Sequence, residues 1–194
     1  MDSNDKIYNC IHKYLNLDVR DVPIQYLDII AFYKCIKSNY NLFLSQNDDL
    51  DLIKEKYAYY CTIIQGLYKW KEKTIYIKET ERNNQCLLLT ELLHSKSITQ
   101  GHSEIESWFC EGLPHYLSYL LCKECNIEYK TSAFMIYFPI WKLIHKEYGF
   151  NLISRIIYTK NLNLTISILK NIFQYDNDDI LTLSAESIKK ILGL

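Results

Sequence analysis

Nine residues in the middle of the chain, Cys86-Leu87-Leu88-Leu89-Thr90-Glu91-Leu92-Leu93-His94, restrict its fold more than any other stretch. Residues 85–97 read as one strongly apolar helix, and steps of three and four put positions 87, 90, 91 and 94 on a single stripe. Three of those four are polar. A helix this apolar belongs in a core, so Thr90, Glu91 and His94 must face either water or a cleft. A solvated stripe in which Glu91 and His94 simply pair is the ordinary outcome for these residue types.

The flanking sequence predicts a mostly helical chain with a few strands before the middle, that is, an α+β fold. Residues 5–15 form an amphipathic helix with Ile7, Cys10, Ile11, Tyr14 and Leu15 on one face. After Pro23, residues 24–38 are apolar enough for a buried helix or for a strand running into one, with the helix favoured. Residues 49–64 read as a helix capped by Asn47 or Asp48 and ended by Gly66. Thr74-Ile75-Tyr76-Ile77-Lys78 is the clearest strand, β-branched and aromatic with polar flanks. A loop at 98–103 leads to a second central helix, 104–125, with a kink expected at Pro114. Further helices are predicted over 133–158, interrupted at Gly149, over 164–173, and at the C-terminal end, where Ser184 and Ser187 are both plausible caps.

Downstream of the apolar helix stands Trp108-Phe109-Cys110-Glu111-Gly112-Leu113, then Tyr116-Leu117-Ser118. Taken in order, the strand TIYIK, the helix TELLH and the segment WFCEGLPHYLS resemble the zincin-like metallopeptidases of the gluzincin type. In that family a strand borders the substrate cleft, and an HExxH helix carries two zinc ligands and the catalytic glutamate. A later helix, often with W-x-x-E-G-[LF]-A-x-Y, supplies a glutamate as third ligand. The resemblance covers about a quarter of the chain in detail, residues 74–121. It implies a single zincin-like domain over 1–194, with a helical C-terminal part at 133–194, a small sheet beside the active-site helix, and a peptide or protein ligand in the cleft. Residue by residue, it makes His94 and Glu111 metal ligands and Glu91 the general base that accepts a proton from the attacking water.

Two positions depart from the family pattern. Pro114 stands where a small residue is usual. More seriously, Thr90 stands where the first histidine ligand belongs. Zinc needs its ligand atoms at about 2.0–2.3 Å, and catalytic sites normally provide three protein ligands. A threonine hydroxyl is short, neutral and poorly basic, so the two remaining ligands would hold zinc weakly or not at all. Candidate substitutes are His115, four residues from Glu111 and able to share its helix face, and His102, in the loop between the helices. Cys110 neighbours Glu111 but points elsewhere on a helix. A rival set of Cys110, His115, Cys122 and Cys125 fails on length, since twelve residues of helix at 1.5 Å each separate Cys110 from Cys122 by about 18 Å. His12 and His145 show no evident partner in the sequence.

Three readings follow. The favoured one is a degenerate peptidase-like pseudoenzyme that has lost ordinary zinc catalysis and acts by binding a partner. The alternative is an active metallohydrolase built on His94, Glu111 and a substitute third ligand, with Glu91 as base. The third is an unrelated helical protein in which the motifs coincide by chance. A formal net charge of −1, with no block of like charges, speaks against nucleic acid or anionic membrane as a partner. P-loop, GxGxxG and GxSxG motifs are lacking. The polar, acidic start Met1-Asp2-Ser3-Asn4-Asp5-Lys6 and the lack of an 18-residue apolar run predict a soluble, cytoplasmic protein. Its seven scattered cysteines are then expected to be reduced.

Overall fold

The structure, a computed structural model, describes residues 3–40, 63–97, 105–159 and 161–194. Most of the helix expected at 49–64, and the loop at 98–103 with His102, lie outside the described residues.

Helix α1 (Ser3–Leu15) buries Ile7, Cys10 and Ile11, the stripe that its three- and four-residue spacing predicts. The segment after Pro23 resolves into a strand running into a helix: β1 (Ile24–Leu27), then α2 (Ile29–Tyr40). Asp28 makes the break. Its carboxylate accepts from the backbone N–H groups of Ile30 and Ala31, each at 2.9 Å, so it caps the helix and ends the strand. Strand β2 (Gly66–Lys69) begins at Gly66, which in the sequence reads only as a helix stop. Strand β3 (Thr74–Lys78) lies where expected. The sheet order is β1-β3-β2, with β1 parallel and β2 antiparallel to β3.

Strand β3 is buried on both faces. Ile75 and Ile77 point into the main core, while Tyr76 packs with Phe32 and Ile36 of α2 on the opposite face. After a 3₁₀ turn at Glu79–Glu81 comes α3 (Gln85–Lys96), whose N-cap Asn84 accepts from Leu87 N–H at 3.1 Å. Of the twelve residues in α3, seven are buried, including Thr90 and Glu91.

The second central helix is two helices, α4 (Ser107–Cys110) and α5 (Gly112–Glu124), broken at Glu111. Pro114 does not kink anything. It sits in the first turn of α5, where a proline's missing N–H has no intrahelical partner to lose. Trp108 anchors the break: it is fully buried, donates from Nε1 to the Leu183 carbonyl at 2.9 Å, and stacks on Trp141. Trp141 in turn donates to the Trp108 carbonyl at 2.8 Å.

A 3₁₀ segment (Ala133–Tyr137) precedes α6 (Phe138–Tyr148) and α7 (Phe150–Tyr158), which part at Gly149 as expected. Helix α8 (Leu162–Phe173) starts two residues before its predicted position, and α9 (Ala185–Leu192) is capped by Ser184, not Ser187. Among the described residues no helix is long and apolar enough to cross a membrane. Cys10 and Cys125 are joined in a disulfide that ties α1 to the end of α5, against the expectation of reduced thiols. Sequence alone does not pair cysteines 115 residues apart.

Candidate metal centre

Helices α3 and α5 pack antiparallel along a seam of short and polar side chains. Their contacts run in opposite chain directions: Cys86 against Ser118, Thr90 against Ser118, and His94 against Glu111 and His115. One end of the seam opens toward solvent, and the polar groups gather there.

At that end His94 Nε2 lies 3.4 Å from Glu111 Oε2, and His115 Nε2 lies 4.0 Å from the same oxygen. Ligand atoms of His94, Glu111 and His115 all fall within 4.8 Å of one another. Ligands about 2.0–2.1 Å from a tetrahedral ion sit roughly 3.4 Å apart, so small side-chain adjustments would let all three reach one cation. The two imidazole rings meet edge to face at 5.8 Å. His115 also packs 4.8 Å from the Phe134 ring. That burial, and to a lesser extent the His94 charge, pushes the His115 imidazole down to about 3. It is therefore neutral at physiological pH, the form that ligates metal.

Glu111 owes its position to the break between α4 and α5. Gly112 is what permits the break to pack. A Cβ at this residue would lie 2.8 Å from Tyr137 Cβ and 3.2 Å from Trp141 Nε1, so only glycine lets the 133–137 turn close against the start of α5. That same turn carries Phe134 onto His115.

Glu91 faces β2. It is 8% exposed, and desolvation raises its carboxyl to about 7. The His94 charge and the Tyr68 backbone N–H, which donates to the carboxylate, pull it down, while the Glu111 charge pushes it up. Gly66 provides the space: a Cβ there would sit 3.4 Å from Glu91 Cγ and 3.2 Å from Leu87 Cδ1. Strand β3 was expected to border the cleft, but it is central in the sheet. Strand β2, at the edge of the sheet among the described residues, is the strand that reaches Glu91.

Thr90 takes no part in this group. Its Oγ1 is bonded to the Cys86 carbonyl at 2.9 Å and to Ser118 Oγ at 2.8 Å, inside the seam, with 3% exposure. His115 stands one turn closer to Thr90 along α5 than Glu111 does, so the second imidazole comes from α5 instead of α3. Cys110 points away as expected, its thiol toward the Ile105 carbonyl at 3.6 Å and pushed up to about 12 by burial. His145, without an evident partner in the sequence, is hydrogen-bonded to Tyr116 at 3.0 Å.

Of the residues singled out in the sequence, His94, Glu111 and His115 meet in one group, and Glu91 is near enough to feel the charges of His94 and Glu111. Sequence reasoning misses the Tyr68 N–H, Gly66, Ser118 and Phe134. The i,i+4 spacing of Glu111 and His115 was the one local signal for the third ligand, and the other four depend on contacts across the fold. No known protein family, curated protein or solved structure matches this chain.

Proposed function

We propose that this chain is a metal-dependent hydrolase of zincin-like design, in which His115 replaces the histidine missing at Thr90. The single observation that carries the reading is the convergence of His94, Glu111 and His115 within 4.8 Å. The pseudoenzyme reading rests on a shortage of ligands at Thr90. The third ligand on α5 removes that shortage, and we therefore prefer the catalytic alternative.

The donor set of two imidazoles and one carboxylate suits zinc. A divalent ion held there would supply Lewis acidity, activating a water and polarising a substrate carbonyl. The protein's own residues do the rest. Neutral His115 presents a lone pair without first losing a proton. Glu111, 36% exposed, leaves the group open to solvent on one side. Glu91, raised to about 7, is suited to accept a proton near neutral pH and pass it to a leaving group. Because β2 is an edge strand among the described residues and lies beside Glu91, an extended peptide is the substrate class that we assign.

The test is Glu91→Gln, assayed with zinc on a mixture of unstructured peptides. Hydrolysis is expected to fall by about 10²–10⁴-fold, with the metal content per chain unchanged. Equal turnover in the two proteins would refute the role of Glu91. Full metal loading with no turnover in the wild type would favour the binding reading instead.

A further inference from the structure

The seam between α3 and α5 has a second chemical end. Cys86 lies one helical turn before Thr90, and Cys122 one turn after Ser118. Thr90 and Ser118 are short, yet their oxygens lie 2.8 Å apart, so the two backbones approach closely at this level. One turn further on, Cys86 Sγ is 3.9 Å from Ser118 Oγ, and the Cys122 thiol is hydrogen-bonded to both Cys86 and Ser118. Close backbones and facing Cβ atoms are what a disulfide requires, with Cα atoms about 4.4–6.8 Å apart.

The two thiols are chemically unequal. Cys86 is the second residue of α3, where the helix N-terminus favours a thiolate. The thiol of Cys122 donates to it and pulls it below the usual thiol range. Cys122 is pushed well up by its hydrogen bond to Cys86 and by burial, and burial pushes Cys35 and Cys110 up, so Cys86 is the most readily ionised of the four described free cysteines. Cys86 sits in the first turn of its helix and is 5% exposed, whereas Cys122 is fully buried. Terminal turns open most readily, so an external reagent reaches Cys86 first.

We propose that Cys86 and Cys122 are a redox-active dithiol that closes to a second disulfide, with Cys86 the attacking and Cys122 the resolving thiol. The oxidant is a low-molecular-weight disulfide. The Cys86 thiolate attacks one sulfur of glutathione disulfide and expels a glutathione thiolate, leaving a mixed disulfide on Cys86. Cys122 attacks the Cys86 sulfur as its proton passes to the departing glutathione sulfur, releasing the second glutathione as a thiol. Two protein thiols are oxidised and one glutathione disulfide is reduced to two thiols. The bond cross-links the two helices that bear His94 and His115, at the opposite end of their seam. The inference does not depend on metal binding.

The experiment equilibrates the full chain, without metal, across glutathione buffers from reducing to oxidising. Samples are then alkylated under denaturing conditions and mapped by peptide mass. The expected result is loss of alkylation at Cys86 and Cys122 together, with a linked Cys86–Cys122 peptide alongside Cys10–Cys125. In Cys122→Ser, Cys86 is expected to stop at the glutathione adduct. In Cys86→Ser, Cys122 is expected to remain an alkylatable thiol. Full alkylation of both residues in wild-type protein, under conditions where Cys10–Cys125 is complete, overturns the proposal. So does a Cys122–Cys125 linked peptide in place of Cys86–Cys122. The wild-type map decides even if a variant fails to fold.

Discussion

In metal-free protein, His115 and Glu91 should pull stability in opposite directions across the same pH range. His115 has its folded pKa depressed to about 3, against about 6.5 for the free side chain, so its contribution is complete above 6.5 and is lost as pH falls toward 3. Glu91 has its folded pKa raised to about 7 from 4.5, so its contribution is complete below 4.5 and is lost as pH rises through 7. Lowering the pH from 7 to 5 therefore costs about 2 kcal/mol through His115 and returns about 2 kcal/mol through Glu91. The two terms nearly cancel in the wild type, and each variant uncovers the other group. Between pH 7 and pH 5, Glu91→Gln should lose about 2 kcal/mol relative to wild type, and His115→Phe should gain about 2 kcal/mol. Urea unfolding in the presence of a chelator, at both pH values and for all three proteins, measures this. Ionisations common to the three cancel in the comparison. Parallel pH dependences would refute the burial of these two groups as described.

Two further perturbations test the frame around the site. Thr90→Val keeps the shape but leaves the buried Ser118 hydroxyl without the Thr90 oxygen, and should cost about 1–3 kcal/mol in urea unfolding with metal affinity largely kept. A large loss of metal affinity would instead make Thr90 a ligand. Gly112→Ala forces Tyr137 or the α4–α5 break to shift, and should cost about 1–3 kcal/mol while weakening metal binding through displaced Glu111. An unchanged melting curve would show that the packing there is looser than its 2.8 Å approach implies.

What was legible in the sequence was local. The β3 strand, the α3 helix and the helices after residue 133 follow from β-branched runs, apolar periodicity and capping residues, all read within a few positions. The stripe of Glu91 and His94 was legible for the same reason, and Glu111 with His115 from their four-residue spacing. The misses are contacts between distant segments. Strand β2 is four residues long and gains its identity from pairing with β3, so nothing in Gly66-Leu67-Tyr68-Lys69 by itself declares a strand. The break at Glu111 comes from Trp108 and Trp141 locking α4 against the C-terminal helices, not from Pro114. Thr90 looked like a vacant ligand position because its partner, Ser118, is 28 residues away. The Cys10–Cys125 pairing was equally invisible, because the helices that bring the two together are joined only by the tertiary fold.

Metal titration of chelator-stripped protein, followed by elemental analysis, bears most directly on the three-residue group. Wild-type protein should bind one zinc ion per chain through His94, Glu111 and His115. His115→Ala should weaken that binding beyond the roughly 10–100-fold typical of a lost outer-shell partner. Equal zinc affinity in the two proteins, or none in the wild type, would contradict a site whose third ligand has moved from α3 to α5.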